Sequence, residues 1–476
     1  MTPTISSAAR KRLALVAFAS LWLSACGGGG GGSETVAAAP PSQSGATGTP
    51  TAAPPPGTAA PSPSASGPAA SPAPAPTPSA SGPAVSPAPA PAPSGGTATP
   101  FPAPAVFQAW GPLIVDTGVT PSSPNSVARL STGASVVAWM KGGALQAQLL
   151  DASGAKVGTP LQIVSSGLAA PLAFSIAPLR DGQWIATWAG TTPGSGPAIL
   201  FQRFTAAGEA IGGPTQVAGG YASIYPALAA HVTSDGGVVI GWAARSGSVQ
   251  APAAAYVARF APDGASMGGP VPVSTMASEQ DSVAVSPLSD GTVLVTWLQG
   301  DAVTQLPSGY SRAFDAAGQP SGPERQILGV TFESNLAAAP LGGNKVAVAG
   351  SRGTSVVWEV LDASGTPLGD AVSLNGTGEM TGAAIVDAGG GSFQVLYQNA
   401  DQTPISNTST ISVQRVDSTG APDGTPSELV RRRLGIGSFV PEASPIFSAS
   451  GGTDGHYILS YEVSGDTSVE VDALAK

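Results

Sequence analysis

One cysteine, Cys26, and two histidines, His231 and His456, are all that this chain of 476 residues has of either type. A single cysteine allows no disulfide within the chain, leaves no C-x-x-C pair, and with two distant histidines gives no zinc-binding spacing. Charge is scarce as well, at 10 % of residues, and the formal net charge is −10. No basic run lies in the body of the chain apart from Arg431, Arg432 and Arg433. This balance argues against nucleic acid as a partner, because a phosphate backbone is held by clustered Lys and Arg. Apolar runs long enough to span a bilayer are absent too: the longest near the N-terminus, "LALVAFASLWL" at Leu13 to Leu23, has eleven residues where about 20 are needed. There is no D-x-D-x-D calcium run and no cysteine nucleophile. No metal or cofactor is expected.

What the chain has in plenty is glycine, 63 residues, and proline, 47. They are unevenly spread. Residues 34 to 105 are almost wholly Ala, Pro, Ser, Thr and Gly, a composition that cannot bury enough apolar surface to offset backbone entropy. This stretch reads as a disordered linker; at about 3.1 Å per residue in polyproline II its reach is roughly 220 Å when fully extended. Before it, the basic "ARKR" at Ala9 to Arg12 and the short apolar run have the order of an export signal.

That signal ends in "LSAC", Leu23 to Cys26, which resembles the lipobox of bacterial lipoproteins. The resemblance implies cleavage before Cys26, acylation of Cys26, and attachment to a membrane through the N-terminal lipid. Gly27 stands where an Asp would, in that family, signal retention at the inner membrane, so the implied address is the outer membrane of a Gram-negative cell. Removing the three basic residues of the signal from 19 leaves 16 against 29 acidic ones, a mature charge of 13 negative. The expected organisation is therefore a signal peptide at 1–25, an acylated cysteine with Gly-rich and Pro-rich linker at 26–105, and a folded domain at 106–476.

The folded part repeats itself. "STGASVVAW", "RDGQWIATW", "SDGGVVIGW" and "SDGTVLVTW" share one plan, a turn glycine followed six residues later by a large ring. The pairs are Gly133/Trp139, Gly182/Trp188, Gly236/Trp242, Gly291/Trp297, Gly391/Tyr397 and Gly455/Tyr461, with a degenerate copy at Asn344/Gly350. Successive turns lie 49, 54, 55, 53, 47 and 64 residues apart, close to the period of a four-stranded propeller blade. A second turn of the form Ala-x-Gly recurs in the copies, as in "DASGAKVG" at Asp151 and "DASGTPLG" at Asp362. Two tight turns per copy, with β-rich runs between them and no helical period, predict four antiparallel strands per repeat.

The seventh copy stops after its third strand, at "SVEVDALAK", while "WGPLIVDTG" at Trp110 to Gly118 is an orphan fourth strand. Pairing the two predicts an all-β, seven-bladed β-propeller with a shared N- plus C-terminal closing blade, and leaves no open sheet edge at the seam. The repeats resemble a Gly-Gly, Val-Val-x-Trp … Gln-Arg-Phe-Asp-Ala-x-Gly pattern of large secreted bacterial proteins, best matched by "ILFQRFTAAGEAIGG" and "AYVARFAPDGASMGG". That likeness implies an extracytoplasmic module and carries over no catalytic residue. The repeated Trp residues are expected to fill the wedges between blades, and Gly350 to leave a void unless Trp358, one strand later in the same blade, fills it.

Candidate ligand contacts are those outside the repeat. The second-to-third and blade-to-blade connections vary in length and share one face, and variable loops on a rigid scaffold are where binding resides. Tyr225, Tyr310, Phe332 and Arg431 to Arg433 are the expected contacts; three adjacent Arg suit carboxylate or phosphate groups. An acidic arc of Glu279, Asp281, Glu333, Glu379 and Glu442 is expected at the channel mouth on that face. Both histidines are expected in surface turns. The sequence thus points to a monomeric, membrane-anchored module that binds a protein or a glycan. A propeller enzyme acting on glycans through two of the arc's carboxylates, and a periplasmic scaffold for envelope assembly, are the alternatives.

Overall fold

A computed structural model describes residues 110–474 apart from 120–123, 165–172, 193–195, 301–306, 333–335, 377, 404–405, 434–446, 452–455 and 464–467. Cys26, the signal peptide, the linker, Glu333 and Glu442 lie outside the described residues.

Seven antiparallel sheets of four strands form a seven-bladed β-propeller. Blade one comprises Asn125–Arg129, Ser135–Lys141, Ala144–Leu150 and Lys156–Val164, from the channel outward. Blade two has Ala173–Pro178, Trp184–Thr192, Gly196–Phe204 and Ala210–Gly219. Blade three has Tyr221–Val232, Val238–Ser246, Ala254–Phe260 and a short Val271–Pro272. Blade four has Gln280–Pro287, Val293–Gly300, Pro307–Phe314 and Arg325–Thr331. Blade five has Leu336–Leu341, Lys345–Arg352, Ser355–Leu361 and Val372–Asn375, and blade six Glu379–Gly389, Ser392–Thr403, Ser406–Val416 and Pro422–Arg433. Blade seven takes Phe447–Gly451, Tyr457–Val463 and Ser468–Leu474 from the C-terminal end, and its outermost strand, Trp110–Thr117, from the other. First strands pack on first strands around the ring, and blade seven meets blade one.

Second strands are buried along nearly their whole length, as Val238 to Ala244 shows, because both faces of each sheet pack on a neighbouring blade. The repeated rings lie in these wedges. Trp139 packs between blades seven and one, Trp242 between two and three, and Trp297 between three and four. Blade five departs from the expectation. Gly350 faces Leu336 and Val357, and the wedge toward blade four is filled by these two with Phe332, which is wholly buried. Trp358 points the other way, into the wedge with blade six, where its indole Nε1 donates to the Gly420 carbonyl at 3.0 Å. Neighbouring residues on one strand face opposite sheets, so a ring placed on a residue paired beside Gly350 cannot fill the gap that Gly350 leaves.

In most described copies both turns are three-residue loops closed by the same two bonds. In one, Thr233 N donates to Gly237 O and Gly236 N to Thr233 O; in the other, Asp151 N donates to Ala155 O and Gly154 N to Asp151 O. The glycine sits at φ +88° or +85°, the left-handed residue of a type I turn with a bulge, and not in a two-residue hairpin turn. Blade six keeps that two-residue form at Gly390 and Gly391.

The Gln of the Gln-Arg-Phe pattern is structural. Gln148, Gln202 and Gln414 donate from Nε2 to the outer-strand carbonyls of Val157, Ile211 and Gly424. Arg259 donates to Asp235 Oδ2 and to Gly291 O, both at 3.1 Å, and so ties blade three to the first turn of blade four.

Candidate binding face

The two turn families share one face, and their acidic groups are engaged in the turns themselves. The Ser153 hydroxyl and the Ala155 amide hold the Asp151 carboxyl below its ordinary range; the Thr419 hydroxyl and amide do the same for Asp417. Partial burial pushes Asp362 upward, but the Ser364 hydroxyl and the Thr366 amide outweigh it and its carboxyl also titrates low. These carboxylates are occupied within their turns.

The opposite face carries the connections, and at the junction of blades three and four they are fastened from several sides. Tyr225 leaves the first strand of blade three where the register slips between Ile224 and Leu228. Its hydroxyl donates to Glu279 Oε1 and accepts from Arg245 Nη2, while Arg245 Nη2 also reaches Glu279 Oε1 at 2.6 Å. The Arg245 guanidinium stands 5.2 Å from the centre of the Tyr225 ring. Burial, together with the Glu279 carboxylate, drives the Tyr225 phenol well above its ordinary pKa, so the phenol is a hydrogen donor at every physiological pH. Glu279 Oε2 accepts from Ala253 N at 3.1 Å, and Arg245 Nη1 donates to the Val249 carbonyl. One charged pair thus fixes both ends of the 247–253 connection.

The neighbouring connection, 273–279, is held as firmly. Glu324 accepts from Ser274 Oγ, from Thr275 N and from Thr275 Oγ1, with Arg312 Nη1 at 3.6 Å. Burial raises the Glu324 pKa, yet these donors and Arg312 bring it below the ordinary range. Gln280 accepts from Ala255 N and donates to Met276 O. On these fixed loops two apolar side chains remain open to solvent, Val249 at 55 % and Met276 at 42 %. Connections ordered in advance lose little conformational entropy when a ligand settles on them. Chemically, the junction offers a phenol, a guanidinium and a carboxylate beside two apolar contacts.

The structure brings Tyr225 to this junction and places other expected contacts elsewhere. Tyr310 belongs not to a loop but to the third strand of blade four, where it is half-buried and stacks on Trp297 with centroids 6.0 Å apart. Phe332 is a core residue and offers nothing to a ligand. Arg431 to Arg433 end the outer strand of blade six instead of lying in the connection after it; their backbones pair with Thr410, Ser409 and Thr408. Exposed Arg431 bonds Glu428 from Nε at 2.8 Å. The polar stretch from 398 is likewise strand and not a connection, since Thr403 pairs with Ser406 at the end of a long hairpin. Asp281 and Glu379 lie at the starts of first strands on the expected face, in blades four and six, with blade five between them. Among the described residues no three His, Cys, Asp or Glu side chains gather as a metal site would require. His231 is not in a turn: it lies on the first strand of blade three, where burial lowers its pKa.

Sequence reasoning passed over Arg245, Val249, Met276 and Glu324. One signal was available for the central pair: Tyr225 and Glu279 are 54 residues apart, one repeat, so each begins a neighbouring blade on the same face.

No protein-family profile matches this sequence, and no curated protein matches it. Similar solved structures exist. A lectin from Burkholderia pseudomallei is 16 % identical with a TM-score of 0.50, covering 76 % of this chain and 97 % of its own. An α-L-arabinanase from Penicillium chrysogenum is 10 % identical with a TM-score of 0.45, over 77 % of this chain and 98 % of its own. The α-L-arabinofuranosidase Arb93A from Fusarium graminearum is 10 % identical with a TM-score of 0.46, over 64 % and 98 %. At these identities the likeness is one of fold, and the fold this chain shares is the β-propeller.

Proposed function

We propose that the protein is a lipid-anchored binding module of the bacterial envelope that takes its ligand on the connection face, at the junction of blades three and four. The observation that carries this reading is the contrast between the faces. One is a set of short turns that recur from blade to blade; the other presents fastened, non-repeated connections, with Tyr225, Arg245 and Glu279 bonded to one another and Val249 and Met276 exposed. A glycan suits that chemistry, since hydroxyls pair with the phenol, guanidinium and carboxylate while the C–H faces of a sugar ring rest on Val249 and Met276. The likeness in fold to a lectin makes glycans the first class to test.

Binding of the full chain to a panel of immobilised bacterial surface polysaccharides tests this. Val249→Asp is expected to weaken the interaction about tenfold, about 1.4 kcal/mol, with an unchanged melting temperature because the side chain is exposed. Retention of full affinity by the variant, or failure of every polysaccharide to bind, rejects the reading.

Anchoring rests on the "LSAC" motif. Replacing Cys26 with Ser is expected to abolish acylation and move the protein from the membrane to the soluble fraction. Membrane fractionation of the unacylated variant would refute the lipobox assignment.

A further inference from the structure

The methionines of the propeller fall into two pairs. Met140 and Met380 are 6 and 3 % exposed, whereas Met267 and Met276 are 41 and 42 % exposed. The exposed two differ at sulfur. Met276 Sδ accepts a hydrogen bond from Gln299 Nε2 at 3.4 Å; Met267 Sδ accepts none among the described residues. Gln299 is itself buried, and its Oε1 accepts from the Trp297 indole Nε1 and from Ser274 Oγ, each at 3.1 Å. One buried amide therefore joins an exposed thioether to the ring that fills the wedge between blades three and four.

A thioether sulfur has two lone pairs, and attack at one or the other gives opposite sulfoxide epimers. We propose that Met276 is an oxidation site of defined stereochemistry, in which Gln299 covers one lone pair and a two-electron oxidant of the hydroperoxide class reaches the other. The open lone pair attacks the terminal oxygen. One S–O bond forms, and the O–O bond breaks; the sulfur is oxidised by two electrons, and the proton of the transferred oxygen passes to the departing oxygen, which leaves as water or alcohol. No C–S bond is broken. The product is polar, chiral and reducible. Oxidation draws electron density from the sulfur that Gln299 donates to, so the Gln299 amide shifts and carries the change to the Trp297 indole. This inference is independent of any ligand, so its outcome and that of the binding reading are separable.

The test is peroxide treatment of the full folded chain, followed by proteolysis and reaction of the peptides with each of the two epimer-specific methionine sulfoxide reductases. The Met276 sulfoxide is expected to be repaired by one reductase and left by the other, while the Met267 sulfoxide is repaired in part by both. The indole N–H resonance of Trp297 is expected to shift on oxidation of the parent and to stay in place in oxidised Met276→Leu. Gln299→Leu is expected to lose the epimer bias; if that variant does not fold, the parent's epimer ratio decides alone. Equal epimers at Met276 in the parent, oxidation of Met267 without Met276, or an unmoved Trp297 resonance overturns the proposal.

Discussion

Deletion of Trp110 to Gly118 is expected to lower the melting temperature by roughly 6 °C or more, the equivalent of about 5 kcal/mol or more in a domain of this size. The strand is the fourth of blade seven, paired with Ser468–Leu474 from Trp110 to Thr117. Val115 is buried in the seam with Trp139, Val137 and Val471. Its removal withdraws about 2 kcal/mol of apolar burial from that side chain and more from half-buried Leu113 and Trp110. Asp116 goes with it. Its carboxylate accepts from the Trp139 indole at 3.0 Å and pairs with Lys141 at 2.8 Å, so the deletion leaves a core indole without its acceptor. Trp110 lies so close over Gly154 that a Cβ there would come within 2.4 Å of the ring, which shows how tightly the strand also covers blade one. The strand edge at Ser468–Leu474 would then stand open to other chains, so aggregation on heating is expected as well. Scanning calorimetry of the deletion beside the parent reads both effects; coincident transitions would contradict ring closure by this strand.

Trp297→Ala is expected to cost about 3 to 5 kcal/mol, as large-to-small changes of buried aromatic residues do. The ring is wholly buried among Val239, Val257, Val283 and Phe314 from two blades and stacks on Tyr310. Its loss also frees one bond at Gln299, so the connection at 273–279 is expected to loosen and exchange its amides faster. Arg431→Ala, at an exposed strand end, is expected to stay within about 0.5 kcal/mol of the parent. Urea unfolding measures both, and a cost below about 1 kcal/mol for Trp297→Ala would show that the wedge rings are not what holds neighbouring blades together.

The blade count, the described turns and, from the two incomplete ends, the shared closing blade were legible because the repeat marks where each blade begins and stops. A turn glycine at φ > 0, a Val-rich buried strand and a ring six residues on recur at a fixed period. What depends on which sheet face a residue occupies was read less well. Trp358 was expected to serve Gly350, and strand parity sends it to the other wedge. Long polar stretches were read as loops, yet "TSTISVQ" in blade six is rich in β-branched residues and extends its hairpin to Thr403 and Ser406. Phe332 and Tyr310 read as surface because they follow polar stretches, whereas burial is decided by the neighbouring blade. The junction of Tyr225, Arg245 and Glu279 was not visible as a unit because its members come from two strands and a connection and meet only when two blades close on each other.

Hydrogen exchange across the full chain, with and without a polysaccharide drawn from the binding panel, addresses the binding face directly. The account predicts slowed exchange at 247–253 and 273–279, with the turns at 234–236 and 289–291 unchanged. Protection centred on those turns, with the two connections unaffected, would contradict it.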